Sequence, residues 1–251
     1  MNHHRLILAT RRNVITRLEH FLVFLRDKYP DARLIGERYI DPTSLLFTQE
    51  YLESDKLGLV LKKTLLERYT APIIVIMGHA GKLYVIDGHH RALVYAWIRE
   101  KTPAFVINIP SYRPINQYSI IDVKLLNPLD TPLELLTWRH MVNIIRFLEL
   151  VHKTLAKVWF DKLEITRLIP TQVLYKAEGA LNRRSSVDPI LTYQFGDEYY
   201  VIDGHTRVCN KLVKGGGEIE SVVFTLGVEI GIVRNARLIG LRFEKETCTQ
   251  G

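Results

Sequence analysis

Tyr84-Val85-Ile86-Asp87-Gly88-His89-His90-Arg91, running on into Ala92-Leu93-Val94-Tyr95-Ala96-Trp97, is the stretch that decides the fold. The short β-branched run predicts a buried strand, Asp-Gly a tight turn, and the apolar, glycine-free segment after it a helix. The turn therefore delivers Gly88, His89, His90 and Arg91 to a helix start. There, unpaired backbone N–H groups and the positive end of the helix dipole favour an anion. Gly88 allows close approach of the backbone, and the Arg91 guanidinium can fork onto two phosphate oxygens. Asp87, an acid beside an anion site, reads as a ligand for a metal that travels with phosphates or as the acceptor that fixes the turn. The plain alternative is a polar hairpin followed by an ordinary helix.

The same phrase returns at Tyr199-Tyr200-Val201-Ile202-Asp203-Gly204-His205-Thr206-Arg207. Upstream, Ala71-Pro72-Ile73-Ile74 answers to Asp188-Pro189-Ile190-Leu191, and Leu45-Leu46-Phe47-Thr48-Gln49-Glu50 to Leu168-Ile169-Pro170-Thr171-Gln172-Val173. Three landmarks in one order indicate an internal duplication, the second copy shorter by roughly two helical turns between its Thr and its Asp. Two copies also weigh against the plain hairpin reading. The repeat singles out Glu50, since its counterpart Val173 can neither cap a helix nor take a proton. An acid at only one of two similar sites suggests that the first does chemistry while the second binds or only holds shape.

The 251 residues, 47% hydrophobic and 24% charged, suit two units of about 100–120 residues each. The N-terminus shows no cleavable signal pattern and no apolar run is long enough to span a bilayer, so a cytoplasmic protein without membrane contact is expected. Cys209 and Cys248 make neither a disulfide framework nor a metal motif, and Cys209 reads as a buried thiol. A net charge of +7 suits phosphorylated small molecules and also nucleic acid, with small molecules the expected partners.

In chain order, residues 11–28 predict an amphipathic helix that packs on the domain after it, 33–40 a strand, and 45–50 a loop. Residues 51–69 predict one or two helices, with Gly58 a point of interruption. Strands follow at 73–77 and 83–86 around an exposed His79 turn, and another at 104–109 after the helix. Residues 110–130 read as connecting structure. Residues 132–159 read as one long helix bridging the units, with Trp138 and Arg139 in core and salt bridge. The expected division is 1–112, 113–160 (linker and bridging helix) and 161–251. Gly215-Gly216-Gly217 lacks the Lys-Ser/Thr of a P-loop and reads as a flexible turn. Ala32-Arg33-Leu34-Ile35-Gly36 is echoed at Ala236-Arg237-Leu238-Ile239-Gly240, without an evident reason in the sequence. Mixed strands and helices of this kind make an α+β protein.

The two Asp-Gly-His-x-Arg loops resemble the nucleotide-phosphate loop of the ParB/sulfiredoxin-like fold. The first unit is most similar there to the archaeal free-serine kinases, whose loop also reads Asp-Gly-His-His-Arg. The resemblance covers residues 33–109, and 163–226 as a degenerate second copy, but not 132–159. It implies tandem ParB/sulfiredoxin-like units and phosphoryl transfer from ATP or ADP, with Mg²⁺, to the hydroxyl of free L-serine, giving O-phospho-L-serine. It implies Glu50 as catalytic base and Asp87 as a catalytic residue near the magnesium. Gly88, His89, His90 and Arg91 become the phosphate-binding residues, and Thr48 and Gln49 further candidates. Asp203, Gly204, His205, Thr206 and Arg207 form a second candidate site. The chain departs from two branches of the superfamily: it shows no convincing helix-turn-helix like that of the partition proteins, and no cysteine beside either loop like that of the redox members. The rival readings are a ParB-like regulator that binds nucleotide or DNA, and a nuclease.

Overall fold

The computed structural model describes residues 6–98, 101–172 and 188–249, and the chain divides into two units at Leu155/Ala156. In the first, helix α1 (Arg11–Lys28) begins at Thr10, whose side chain accepts from the Asn13 N–H while the Asn13 side chain accepts from the Thr10 N–H. This reciprocal cap satisfies helix-end donors that otherwise lack partners. Strands β1 (Arg33–Ile40), β2 (Leu45–Phe47) and β3 (Tyr51–Glu53) lead into α2 (Ser54–Glu67). Next come β4 (Ile73–Met77), β5 (Leu83–Asp87), α3 (His89–Ile98), β6 (Thr102–Asn108), β7 (Tyr118–Ser119), β8 (Lys124–Leu126) and α4 (Leu136–His152). The main sheet has the order β1-β6-β4-β5-β2-β7, and β3 pairs with β8 apart from it. Central β4 is apolar along nearly its whole length because both of its faces are covered, α1 packing Val14, Leu18 and Leu25 on the side of Ile74 and Ile76.

The second unit contains β9 (Lys157–Glu164), β10 (Leu168–Pro170), β11 (Ile190–Phe195), β12 (Glu198–Asp203), α5 (His205–Val213), β13 (Glu218–Thr225), α6 (Gly231–Ile239) and α7 (Lys245–Thr249). Its sheet order is β10-β12-β11-β13-β9. With β9 matched to β1, β10 to β2, β11 to β4, β12 to β5 and β13 to β6, that order reproduces five strands of the first sheet. The senses match as well: β2 on β5 and β10 on β12 are parallel, while β4 with β5 and β11 with β12 are antiparallel hairpins. The chain is α+β with mixed sheets, and the repeat seen in sequence extends to a whole sheet. Val173 lies outside the described residues.

Several expectations are corrected. The segment 113–160 is not a linker: β7, β8 and α4 belong to the first unit. Helix α4 stops at His152 because Lys153 turns left-handed (φ 51°), and Val158, Trp159 and Phe160 instead pair in β9 with β13. Gly58 does not interrupt α2. A Cβ there would lie 3.0 Å from the Trp138 backbone, so the glycine lets α4 cross closely. Helix α2 starts at Ser54 and not at Tyr51, since Tyr51–Glu53 extend to pair with Lys124–Leu126. Cys209 is no free thiol but is bonded to Cys248 (S–S 1.98 Å), which ties α7 to α5. Nothing in a spacing of 39 residues announces that pairing. No helix among the described residues is long and apolar enough to cross a membrane.

A buried ionic cluster holds α4 in place. Arg146 Nη1 donates to Glu149 Oε2 (2.7 Å), Glu149 Oε1 accepts from Trp97 Nε1 (2.7 Å), and the rest of the guanidinium donates to the carbonyls of Ile120, Ile121 and Val123. Arg146 and Glu149 are 1% and 0% exposed, so removing one charge strands the other in the interior. Glu149→Ala is expected to lower the unfolding free energy by about 3–5 kcal/mol in urea titrations, with Glu149→Gln milder. Reducing the Cys209–Cys248 bond is expected to cost about 2–4 kcal/mol of stability, read as a lower melting temperature in dithiothreitol for the wild type but not for Cys248→Ser.

Candidate functional site

The strand-turn-helix β5–α3 is closed by its own side chains. Gly88 sits at φ +92°, and a Cβ there would lie 2.7 Å from both Arg91 Nη2 and Ile73 Cγ2. Only glycine leaves room for the Arg91 guanidinium to fold back over the turn and donate from Nη2 to Asp87 Oδ2 (2.9 Å). Beneath the turn, the Thr48 hydroxyl donates to the Val85 carbonyl (2.8 Å), and the Thr48 N–H reaches His89 Nε2 (3.4 Å). The parallel pairing of β2 with β5 puts Thr48, 41 positions away in sequence, against His89.

Around this corner lies a cavity of about 140 Å³, lined by Asp87, Gly88, His89, His90, Arg91, Gln49, Lys56 and Arg17, with Ile7, Leu8, Ala9, Val60, Tyr69 and Ile86 as its apolar wall. Of the residues singled out from sequence, Gln49 and Asp87 through Arg91 come together here, with Thr48 supporting them. Glu50 is outside the lining. Its carboxylate accepts from Lys124 Nζ (2.7 Å) and its carbonyl from the Lys124 N–H (2.8 Å), on the side where β3 and β8 pair.

Of the residues His89, His90 and Arg91 read from the sequence, only Arg91 brings charge to the corner near pH 7. Burial pushes the His89 imidazole down to about 4 and that of His90 to about 3, against an ordinary 6.5, so both are neutral near pH 7. The positive charge comes from Arg91, Lys56 and Arg17, balanced within the lining by Asp87 alone. Lys56 on α2 and Arg17 on α1 carried no local signal, being single cations among many on amphipathic helices. Two buried polar atoms at the corner have no hydrogen-bond partner: His90 Nε2 and Arg91 Nη1. A buried orphan costs about 1–3 kcal/mol, more for a charged group, and both orphans belong to residues that line the cavity, which makes this corner the candidate ligand site.

The second corner has the same frame in a different state. Gly204 sits at φ +101°, Thr171 bonds Val201 and His205, and Arg207 Nη2 donates to Asp203 Oδ2 (2.8 Å). Here, however, Arg207 Nη1 donates to the carbonyls of Asp188 (2.9 Å) and Pro189 (2.5 Å), and Phe243 lies against the His205 ring, centroids 6.1 Å apart. The guanidinium is spent on holding the start of β11. This corner secures structure with the guanidinium nitrogen that the first leaves unpaired; Thr206 stands where the first has His90.

For magnesium, no group of three or more His, Cys, Asp or Glu among the described residues could form a cage. Asp87 supplies one carboxylate whose Oδ2 is tied to buried Arg91 and whose Oδ1 accepts from Arg17 (3.1 Å), a half-exposed side chain able to move. One carboxylate together with ligand phosphates is a usual holding for Mg²⁺, so the donor set fits an ion brought in by phosphates. No protein-family model, no curated protein and no solved structure matches the chain.

Buried neutral histidines link stability to pH. His89, His90 and His205 (lowered to about 4 by burial) protonate in the unfolded chain near 6.5 but in the folded one only near 4 or below. Between those values the unfolded state binds more protons, so stability is full above about pH 6.5 and falls as the pH drops towards 4. Urea midpoints measured from pH 8 to 4 should show that decline, and His205→Asn should flatten part of it.

Proposed function

We propose that the first unit is a phosphotransferase acting on a small hydroxylated acceptor, with free L-serine the first acceptor to test and ATP or ADP the donor. The observation that carries this reading is the contrast between the corners: on one frame, the first keeps Arg91 Nη1 and His90 Nε2 unpaired beside Lys56 and Arg17, while the second has bound its arginine to backbone carbonyls. The donor's terminal phosphates lie at Gly88–Arg91, in the first turn of α3, where backbone N–H groups and Arg91 face the anion. A cavity of about 140 Å³ takes the phosphate end, and the rest of the nucleotide extends from it. The choice of serine, and of a ParB/sulfiredoxin-like fold for both units, rests on the Asp-Gly-His-His-Arg loop and the acid upstream of it. A cytoplasmic location belongs to the same proposal, and it requires a cell interior in which the Cys209–Cys248 bond persists, as in hyperthermophiles.

In the transfer, the acceptor hydroxyl oxygen bonds to the terminal phosphorus as the bond from that phosphorus to the nucleotide's bridging oxygen breaks. The hydroxyl proton passes to Glu50, and Arg91, Lys56 and Arg17 hold the charge moving onto the leaving phosphate. Asp87 would hold a magnesium ion brought in with the phosphates, and that ion would supply further neutralisation of the charge. For this role Glu50 must turn from Lys124 towards the acceptor. The ion pair is half-exposed on the lysine side, and such surface pairs are weak enough to exchange.

Incubation with ATP or ADP, Mg²⁺ and a panel of hydroxylated amino acids and polyols should yield a phosphorylated product. Glu50→Gln should lower kcat by roughly 10²–10⁴-fold with nucleotide affinity nearly unchanged, whereas Arg91→Ala should chiefly weaken nucleotide binding. Full turnover by Glu50→Gln removes Glu50 as the base. No product with any acceptor, together with duplex-DNA binding that weakens steeply with salt, would favour the regulatory reading instead.

A further inference from the structure

Helix α1 stands before the repeated frame, yet it reaches the candidate site at two places. Its entry segment, Ile7, Leu8 and Ala9, forms part of the apolar wall of the cavity, and the Tyr69 hydroxyl pins that segment by donating to the Ala9 carbonyl (2.7 Å). One and a half turns into the helix, Arg17 lines the same cavity and donates to Asp87 Oδ1 (3.1 Å). The arm is firmly seated. Val14 and Leu18, which flank Arg17 along the helix, are 0% and 4% exposed in the sheet core. Arg11 grips Glu37 of β1 through two hydrogen bonds (2.8 and 2.5 Å). The Arg17 side chain itself is 52% exposed, whereas that of Arg91, on the other oxygen of the same carboxylate, is 6% exposed.

We propose that Arg17 is a ligand-binding residue: α1 lends it to the corner, and it exchanges Asp87 Oδ1 for a phosphate oxygen of the bound nucleotide. The inference rests on the polyphosphate reading of the corner and adds to it a residue and a direction of exchange. Arg91 is buried, and leaving Asp87 would strand a second nitrogen of its guanidinium without a partner, so it stays as the fixed half of the clamp. Arg17 is the mobile half. Its move brings a third cation onto the phosphates beside the unpaired Arg91 Nη1 and His90 Nε2. The same move uncovers Oδ1 where a phosphate-borne Mg²⁺ can meet it, so one exchange serves anion and cation together.

Titration calorimetry with inorganic pyrophosphate and with ADP, in EDTA and then in Mg²⁺, tests this on wild type, Arg17→Ala, Arg17→Lys and Arg26→Ala. Arg26 is an exposed cation on the same helix outside the cavity lining. Arg17→Ala should bind both probes about tenfold more weakly in EDTA, because a charged hydrogen bond is lost and Asp87 is left less neutralised. The loss should shrink in Mg²⁺, which occupies the freed oxygen, and also at high salt. Arg17→Lys should recover part of the affinity and Arg26→Ala should match wild type. Wild-type affinity in Arg17→Ala, or an equal loss in Arg26→Ala, overturns the inference while leaving the phosphate corner standing. Failure of the wild type to bind either probe overturns both. Unliganded melting temperatures, unchanged by a substitution at a half-exposed site, keep a folding defect from being mistaken for either result.

Discussion

A carboxylate and a guanidinium four residues apart, folded onto each other across a glycine, set the geometry from which both halves of this chain are built. Asp87 and Arg91 can meet only because Gly88 carries no side chain at a positive φ; the same holds for Asp203, Gly204 and Arg207. The ion pair closes the step from strand to helix, from β5 to α3 in the first copy and from β12 to α5 in the second. Thr48 and Thr171 then lock the neighbouring parallel strand to that turn through Val85 and Val201. The two sheets share their strand order because the chain on either side of the corner has the same constraint to satisfy.

The frame is common to both copies, but the use of its arginine is not. Where Arg207 donates to the carbonyls before β11, the turn is a fastening. Where Arg91 Nη1 is left without a partner, desolvation has been accepted with no internal return, and a bound anion is the group that would supply one. Histidine contributes shape and hydrogen bonding in both corners and charge in neither, because burial holds the imidazoles neutral. The cations that make the first corner attractive to phosphate come from α1 and α2, elements whose other sides pack the core.

Helix α4 shows the same economy of burial on a larger scale. Arg146 is enclosed with Glu149 and takes the carbonyls of residues 120, 121 and 123, so a loop that has no sheet of its own is held by side-chain bonds. Trp97, at the far end of α3, donates into that cluster. The helix that carries His89–Arg91 at one end is therefore anchored by a buried carboxylate at the other.

Local chemistry was enough to place α1 at residues 11–28, β1 at 33–40, the β4–β5 hairpin and both corners, because cap residues, β-branched runs and Asp-Gly turns act over a few neighbours. The duplication was legible for the same reason. What lay beyond the sequence was whatever depends on residues far apart in the chain: Arg17 and Lys56 in the cavity, the Cys209–Cys248 bond, the neutral histidines, the position of Glu50 beside Lys124. The phrase Ala-Arg-Leu-Ile-Gly marks the boundary between the two kinds of information. At 32–36 it runs into a strand paired with β6, bulging at Leu34/Gly36; at 236–240 it closes α6, with Gly240 left-handed at the cap. Five identical residues carry one local preference, and the free energy of packing against a sheet edge in one place, or of completing an amphipathic helix in the other, exceeds it.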